Sequence, residues 1–209
     1  MKKNDKIINL LKEKILILDG AMGTMIQKKN LSEEDFRGKK FQNSKKCLRG
    51  NNDILNLTLE KIIYEIHKSY LDAGADIIET NTFNSTKISQ TDYNCEKYSY
   101  DLNYQGALIA RKAVDDYLKE IPKQTKFVAG VLGPTNRTCS MSPDVDNPGF
   151  RNIDFDELRD DYEISVDALT QGCVDFILIE TVFDTLNAKA ALMAIRSVEK
   201  KKKPVARVA

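Results

Sequence analysis

The 209-residue chain has no tryptophan and a single histidine, and its positive and negative charges nearly cancel. One imidazole rules out a metal site built from several histidines. A formal net charge of +1 gives no overall pull toward nucleic acid or an anionic membrane. The four cysteines, Cys47, Cys95, Cys139 and Cys173, lie far apart and form no C-x-x-C pair. That spacing argues against a disulfide framework and against a self-contained zinc knuckle. No apolar run approaches the ~20 residues of a membrane-spanning helix. The first twenty residues are broken by Asn9, Lys12, Glu13 and Lys14, so they lack the apolar centre of a secretory signal. Gly20-Ala-Met-Gly23-Thr24 matches neither G-x-G-x-x-G nor a P-loop, which weakens any nucleotide-binding reading. These absences predict a cytoplasmic protein with no nucleic-acid and no membrane partner.

Four apolar segments are present, and each breaks off into polar or glycine-containing sequence. They are Ile15 to Gly20, Ala75 to Phe83, Phe127 to Asn136 and Asp175 to Thr185. Continuous apolar runs fit strands buried on both faces of a parallel sheet. The strands are predicted at Ile15 to Leu18, from Ala75 to about Glu79, at Phe127 to Leu132 and at Asp175 to Ile179. Between them the apolar stripes predict helices over Asp5 to Glu13, Thr58 to Ala73, Tyr98 to Glu120, from Asp154 to Gln171, and Thr185 to Lys200. Lys200 to Lys203 reads as a solvated helix end, and Pro204 to Ala209 as the start of a fifth strand. Gln27 to Asn56 is polar, with few periodic apolar positions, and includes the cluster Asn51-Asn52-Asp53. Gly133 to Asn152 is a second long strand-end stretch. Loops this long in a compact domain are usually functional or ordered excursions.

The alternation of strand and helix predicts a parallel α/β fold. Gly74 to Thr80 and Gly172 to Thr181 echo one another: a helix-stop glycine, an aspartate, an apolar strand, then Glu-Thr. That echo favours a (β/α) barrel over an open sheet. In such folds functional groups gather where the strands end. Asp19 and Glu180 are placed to share an ammonium group; the competing readings are a turn or cap aspartate and an ion pair to a neighbouring helix. Glu79 carries the same ambiguity as Glu180, and Asp184 reads as the cap of the last helix. Asn81, Thr82 and Phe83 offer amide, hydroxyl and backbone N–H groups suited to a carboxylate, or plain turn chemistry. Asn136 closes the third apolar segment. His67 falls beside a helical apolar stripe and reads as structural. Cys139 is the cysteine nearest the strand-end mouth, and Cys173 packs at the opposite end. No lysine ends a strand, which leaves little room for a Schiff-base barrel.

The blocks ILILDGAMGTMIQ, GNNDILNLT, GADIIETNTFNST, VAGVLGPTNRT, SPDVDNPGFRNI and ILIETVFDTLNAKAA together resemble the N-terminal homocysteine-binding region of cobalamin-dependent methionine synthase. The resemblance runs from about Ile15 to Ile195, within the homocysteine S-methyltransferase family. It implies a (β/α)₈ TIM-type barrel, of which this chain holds about the first four to five units. It implies that Asp19, Gly20 and Glu180 hold the substrate's amino group, that Asn81, Thr82 and Phe83 help bind its carboxylate, and that Asn136 lines the same mouth. The family uses zinc and cobalamin, and its zinc cysteines lie after the sixth and eighth strands. No cysteine here matches them, so no metal ligand is assigned and neither cofactor is expected to bind this chain alone. The expectation is a partial homocysteine-binding domain over residues 1–209, with an N-terminal helix over 1–14 and without the zinc-ligand half of the barrel or the folate, cobalamin and activation domains. Activity then depends on residues outside the chain, and a separate chain carrying the C-terminal part is an expected partner beside homocysteine. The competing expectations are an inactive truncated or decaying gene product with no catalysis on its own and, behind it, a different homocysteine S-methyltransferase.

Overall fold

A computed structural model describes residues 3–201, and the side chains from residue 6 onward. The predicted fifth strand lies outside the described residues. Three parallel strands, β1 (Ile77–Glu79), β2 (Phe127–Leu132) and β3 (Phe176–Ile179), form a sheet in the order β1-β2-β3. The register pairs Ile77 with Phe127 and Ala129 with Phe176. The first predicted strand is reduced to one parallel bridge, Leu18 to Ile77. Its pairing is irregular for a stated reason: the Ile17 carbonyl accepts from both Asp76 and Ile77 N–H, and the Asp76 carboxylate takes the Ile17 N–H.

The helices are α1 (Lys3–Glu13), α2 (Met22–Gln27), α3 (Glu33–Arg37), α4 (Leu55–Thr58), α5 (Glu60–Asp72), α6 (Lys87–Gln90), α7 (Ser99–Glu120), α8 (Phe155–Gln171) and α9 (Thr185–Lys201). Successive strand residues face opposite ways. Ile78, Val128, Leu132 and Ile177 meet Ala107, Val114, Leu158, Leu169, Ala191 and Ile195 of the long helices. Ile77, Phe127, Ala129, Phe176 and Leu178 face the other way, against Ile7 and Leu10 of α1. Glu79 is in phase with Ile77, and Glu180 with Phe176 and Leu178. The same two-residue period that builds the core therefore sends both glutamates to the face away from the long helices, at the C-terminal ends of the strands.

The internal echo has a structural cause. Asp76 and Asp175 each accept a backbone N–H from the neighbouring strand segment, Ile17 at 3.1 Å and Val128 at 2.8 Å. Each is neutralised, Asp76 by Lys14 at 2.8 Å and by Lys126, Asp175 by Arg111. These aspartates finish the N-terminal end of the ladder, where a backbone group would otherwise go unpaired. At the start of α8, Asp154 accepts from the Glu157 N–H, as its D-x-x-E pattern predicts.

The stretch from Gln27 to Asn56 is more ordered than its lack of periodicity suggests. Phe36, Phe41, Leu48, Ile54 and Leu55 are buried against Ile63, Ile66, Leu102 and Ile109 of α5 and α7. Ser32 and Asp35 close a capping box on α3. Glu33 then gathers the Arg37 guanidinium, the Cys47 thiol and the N–H groups of Leu48 and Arg49. Burial opposes charge on Glu33, but these donors bring its carboxyl down to about 2. An apolar core made of scattered residues, tied by one carboxylate, leaves no period in the sequence to read.

His67 is fully buried in α5, and neither ring nitrogen has a partner among the described residues. Burial alone pulls its pKa down to about 3. An unfolded chain binds a proton on this ring below about 6.5, which the folded chain refuses, so stability falls as the pH drops from there toward 3. His67→Leu keeps the volume and removes two unsatisfied atoms. Urea titrations are expected to show it stabilising by about 1–3 kcal/mol at pH 8 and by more at pH 5.

Candidate functional site

The strand ends open on a cavity of about 430 Å³. Asp19, Gly20, Glu79, Asn81, Phe83 and Glu180 line it, facing a wall of Gly50, Asn52, Asp53 and Asn84. Residues 19, 79 and 180 come from three separate parts of the chain, and the parallel sheet brings them together.

Asp19 is fixed by the backbone. Its N–H donates to the Ile77 carbonyl at 2.9 Å, and both its carboxylate oxygens accept the Glu79 N–H at 3.1 Å. Burial pushes the Asp19 carboxyl up to about 8, and the negative charges of Glu79 and Glu180 add to that push. Burial, then Glu180, raises Glu79 to about 7, and burial raises Glu180. Three carboxyls therefore share one half-buried mouth with no cation among the described residues to balance them. Such a mouth holds protons near neutrality and gives them up when a cation arrives.

The loop after β1 is tied on three sides. Thr82 donates its hydroxyl proton to the Val131 carbonyl, so the Thr80 hydroxyl is the donor in their 2.7 Å contact and also accepts the Val131 N–H. The Asn81 side chain donates to the Asn52 carbonyl and to Asn56 Oδ1, and Asn56 Nδ2 answers with 2.7 Å to the Asn81 carbonyl. Asn51 and Gln90 form a buried reciprocal amide pair, and Gln90 reaches the Asn84 carbonyl. Among the described residues no acceptor takes the Phe83 N–H, and Phe83 lines the cavity.

Five of the seven site residues expected from the sequence, Asp19, Gly20, Asn81, Phe83 and Glu180, stand on the cavity. The structure places the other two elsewhere. The Thr82 hydroxyl is buried in the tie to β2. Asn136 is exposed and donates to Asp92 at 2.9 Å, away from the lining. Cys139 is buried, with its N–H given to Asn187, and burial raises its thiol. Cys173 is exposed, beyond the opposite strand ends. Asp184 does cap α9, accepting from Leu186 N–H at 2.8 Å. Glu79 joins the site fully, and Asn52, Asp53 and Asn84 were not foreseen in it. The signal for Asn52 and Asp53 was the Asn51-Asn52-Asp53 cluster in an otherwise polar stretch.

The homocysteine S-methyltransferase family matches residues 16–207. This chain belongs to that family. Among solved structures it is similar to the homocysteine methyltransferase MmuM from Escherichia coli. The metallated form shares 23% identity with a TM-score of 0.71, over 96% of this chain and 64% of that one. The oxidized form shares 22% identity with a TM-score of 0.71, over 96% and 63%. The apo form shares 25% identity with a TM-score of 0.61, over 95% and 60%. The chain thus spans less than two thirds of the length of these structures, and the likeness is one of fold. Among the described residues no group of three or more His, Cys, Asp or Glu could hold a metal ion, and none of the helices is long and apolar enough to cross a membrane.

Gly133, at the end of β2, lets the two strand-end loops meet: an added Cβ would stand 2.2 Å from the Phe83 carbonyl oxygen. Gly133→Ala must push the Phe83 turn aside. The expected cost is about 1–3 kcal/mol in thermal or urea unfolding, with faster amide exchange at Asn84, whose N–H is bonded to Asp53.

Proposed function

We propose that the cavity binds homocysteine, and that the chain supplies the amino-acid-binding part of a homocysteine S-methyltransferase. The observation that carries this is the acidic mouth beside an amide-rich turn. Asp19, Glu79 and Glu180 suit the ammonium group, while the Phe83 N–H and the turn around it suit the carboxylate. A zwitterion with both charges at one end matches two adjacent subsites of a single cavity, and its thiol side chain extends away from both.

The GPTNRT and ETVFDTLNAK blocks support the methionine synthase branch. There the methyl group passes from methylcobalamin, recharged from methyltetrahydrofolate, to homocysteine, giving methionine. The described residues do not fit the zinc ion of that branch: Cys47, Cys95, Cys139 and Cys173 are free thiols in separate places, and the mouth offers carboxyls that repel one another. No step at sulfur is therefore assigned to them. We read the sheet as part of a (β/α)₈ barrel. The groups that activate sulfur then come from the remainder of the family fold, in the same polypeptide or in a partner chain. The same reading places the protein in the cytoplasm.

Isothermal titration with L-homocysteine tests the proposal. At pH 7 the empty mouth retains protons on Asp19 and Glu79, so binding is expected to release protons. The observed enthalpy should then vary with the ionisation enthalpy of the buffer, and the release should fade toward pH 9. Asp19→Asn is expected to weaken binding about 10- to 100-fold. Binding unaffected by this change would remove the ammonium from the acidic mouth.

A further inference from the structure

Asp53 lines the cavity yet is 2% exposed, the most enclosed carboxylate of the site. It belongs to the 27–56 stretch and not to a strand end. One oxygen, Oδ2, accepts both the Asn84 N–H at 2.6 Å and the Ser85 hydroxyl at 2.8 Å. From the far side, the Ser85 carbonyl accepts the Ser99 hydroxyl at 2.6 Å and Asn103 Nδ2 at 3.0 Å. The turn after β1 is thus gripped between α7 and Asp53, and Phe83 is the residue directly before the grip. Burying a carboxylate is costly unless donors compensate it. Two short bonds to consecutive residues offset part of that cost, burial still lifting the carboxyl to about 6, and they fix the direction of the backbone between them.

We infer that Asp53 is a positioning residue of the amino-acid site: it holds the turn so that the Phe83 N–H faces the cavity, where the substrate carboxylate is bound. This rests on the proposed homocysteine reading. It adds a residue that touches no substrate and acts only on the carboxylate end. The consequence is selective. Loss of Asp53 damages recognition of the carboxylate and spares recognition of the ammonium.

The experiment compares L-homocysteine with its decarboxylated analogue homocysteamine on the full 209-residue chain, by calorimetry, with amide hydrogen exchange read at Asn84. Asp53→Ala is expected to weaken homocysteine about 10- to 100-fold and homocysteamine less than about 3-fold. Exchange at Asn84, whose N–H is bonded to Asp53, should be faster. Asp53→Asn keeps an oxygen that can take both bonds, so it should restore most of the loss. Ser85→Ala removes one of the two bonds in a gentler way and should give a smaller loss of the same selectivity, should Asp53→Ala fail to fold. Equal weakening of both thiols, or homocysteine affinity and amide exchange both unchanged, overturns the inference. If the wild-type chain binds neither thiol, the homocysteine reading falls on its own. The exchange comparison of Asp53→Asn and Ser85→Ala with wild type then decides the clamp: faster exchange in Ser85→Ala supports it, and unchanged exchange in both overturns it.

Discussion

A parallel sheet leaves backbone groups unpaired wherever its ladders stop, and a buried N–H or C=O without a partner costs as much as a lost hydrogen bond. Nearly everything distinctive about this molecule answers that constraint. At the lower end of the strands Asp76 and Asp175 take the open N–H groups. At the upper end Asp19 takes the Glu79 N–H, Thr80 and Thr82 serve Val131, and Asn56 takes the Asn81 carbonyl. Polar residues at strand ends are therefore first a structural necessity. The cavity is the space left between the groups that meet it.

The electrostatics of the mouth follow from the same arrangement. Strand alternation sends Glu79 and Glu180 to one face, and the bridge at Leu18 carries Asp19 beside them. Once there, Glu79 and Glu180 raise Asp19 and Glu180 raises Glu79, because burial has removed the water that would screen them. The lower end shows the contrasting solution, where Lys14, Lys126 and Arg111 neutralise the aspartates in place. A protein that balances its structural acids but leaves three acids unbalanced at a cavity has concentrated its unmet charge where a ligand can reach it.

Much of this was legible in the sequence because it is written in periods. The long helices α5, α7, α8 and α9 fall within two residues of the stripes that predict them, and β2 matches its apolar run from Phe127 to Leu132. Asp19 and Glu180 could be read as site residues because each ends an apolar run with a charge. What escaped was written in single contacts. The core formed by Phe36, Phe41 and Leu48 has no period, since its shape comes from the hub at Glu33. Thr82 and Asn136 are chemically suited to a ligand, but their partners are Val131 and Asp92, and sequence position does not reveal a partner 44 or more residues away. Asp53 was hidden in the same way, as one polar residue among many in a stretch with no regular pattern.

The reciprocal tie between Asn56 and Asn81 joins segments that are distant in the chain, and Asp19 and Glu180 stand further out on either side. The cavity is therefore assembled only when the central part of the chain is assembled. Occupancy and folding are linked by mass action: a ligand that fills the cavity at one hundred times its Kd would add about 2.7 kcal/mol to the stability of the whole unit. Such a ligand acts as a fastener for the sheet and the 27–56 stretch together, and the folded fraction of the chain becomes a function of the concentration of the small molecule it holds.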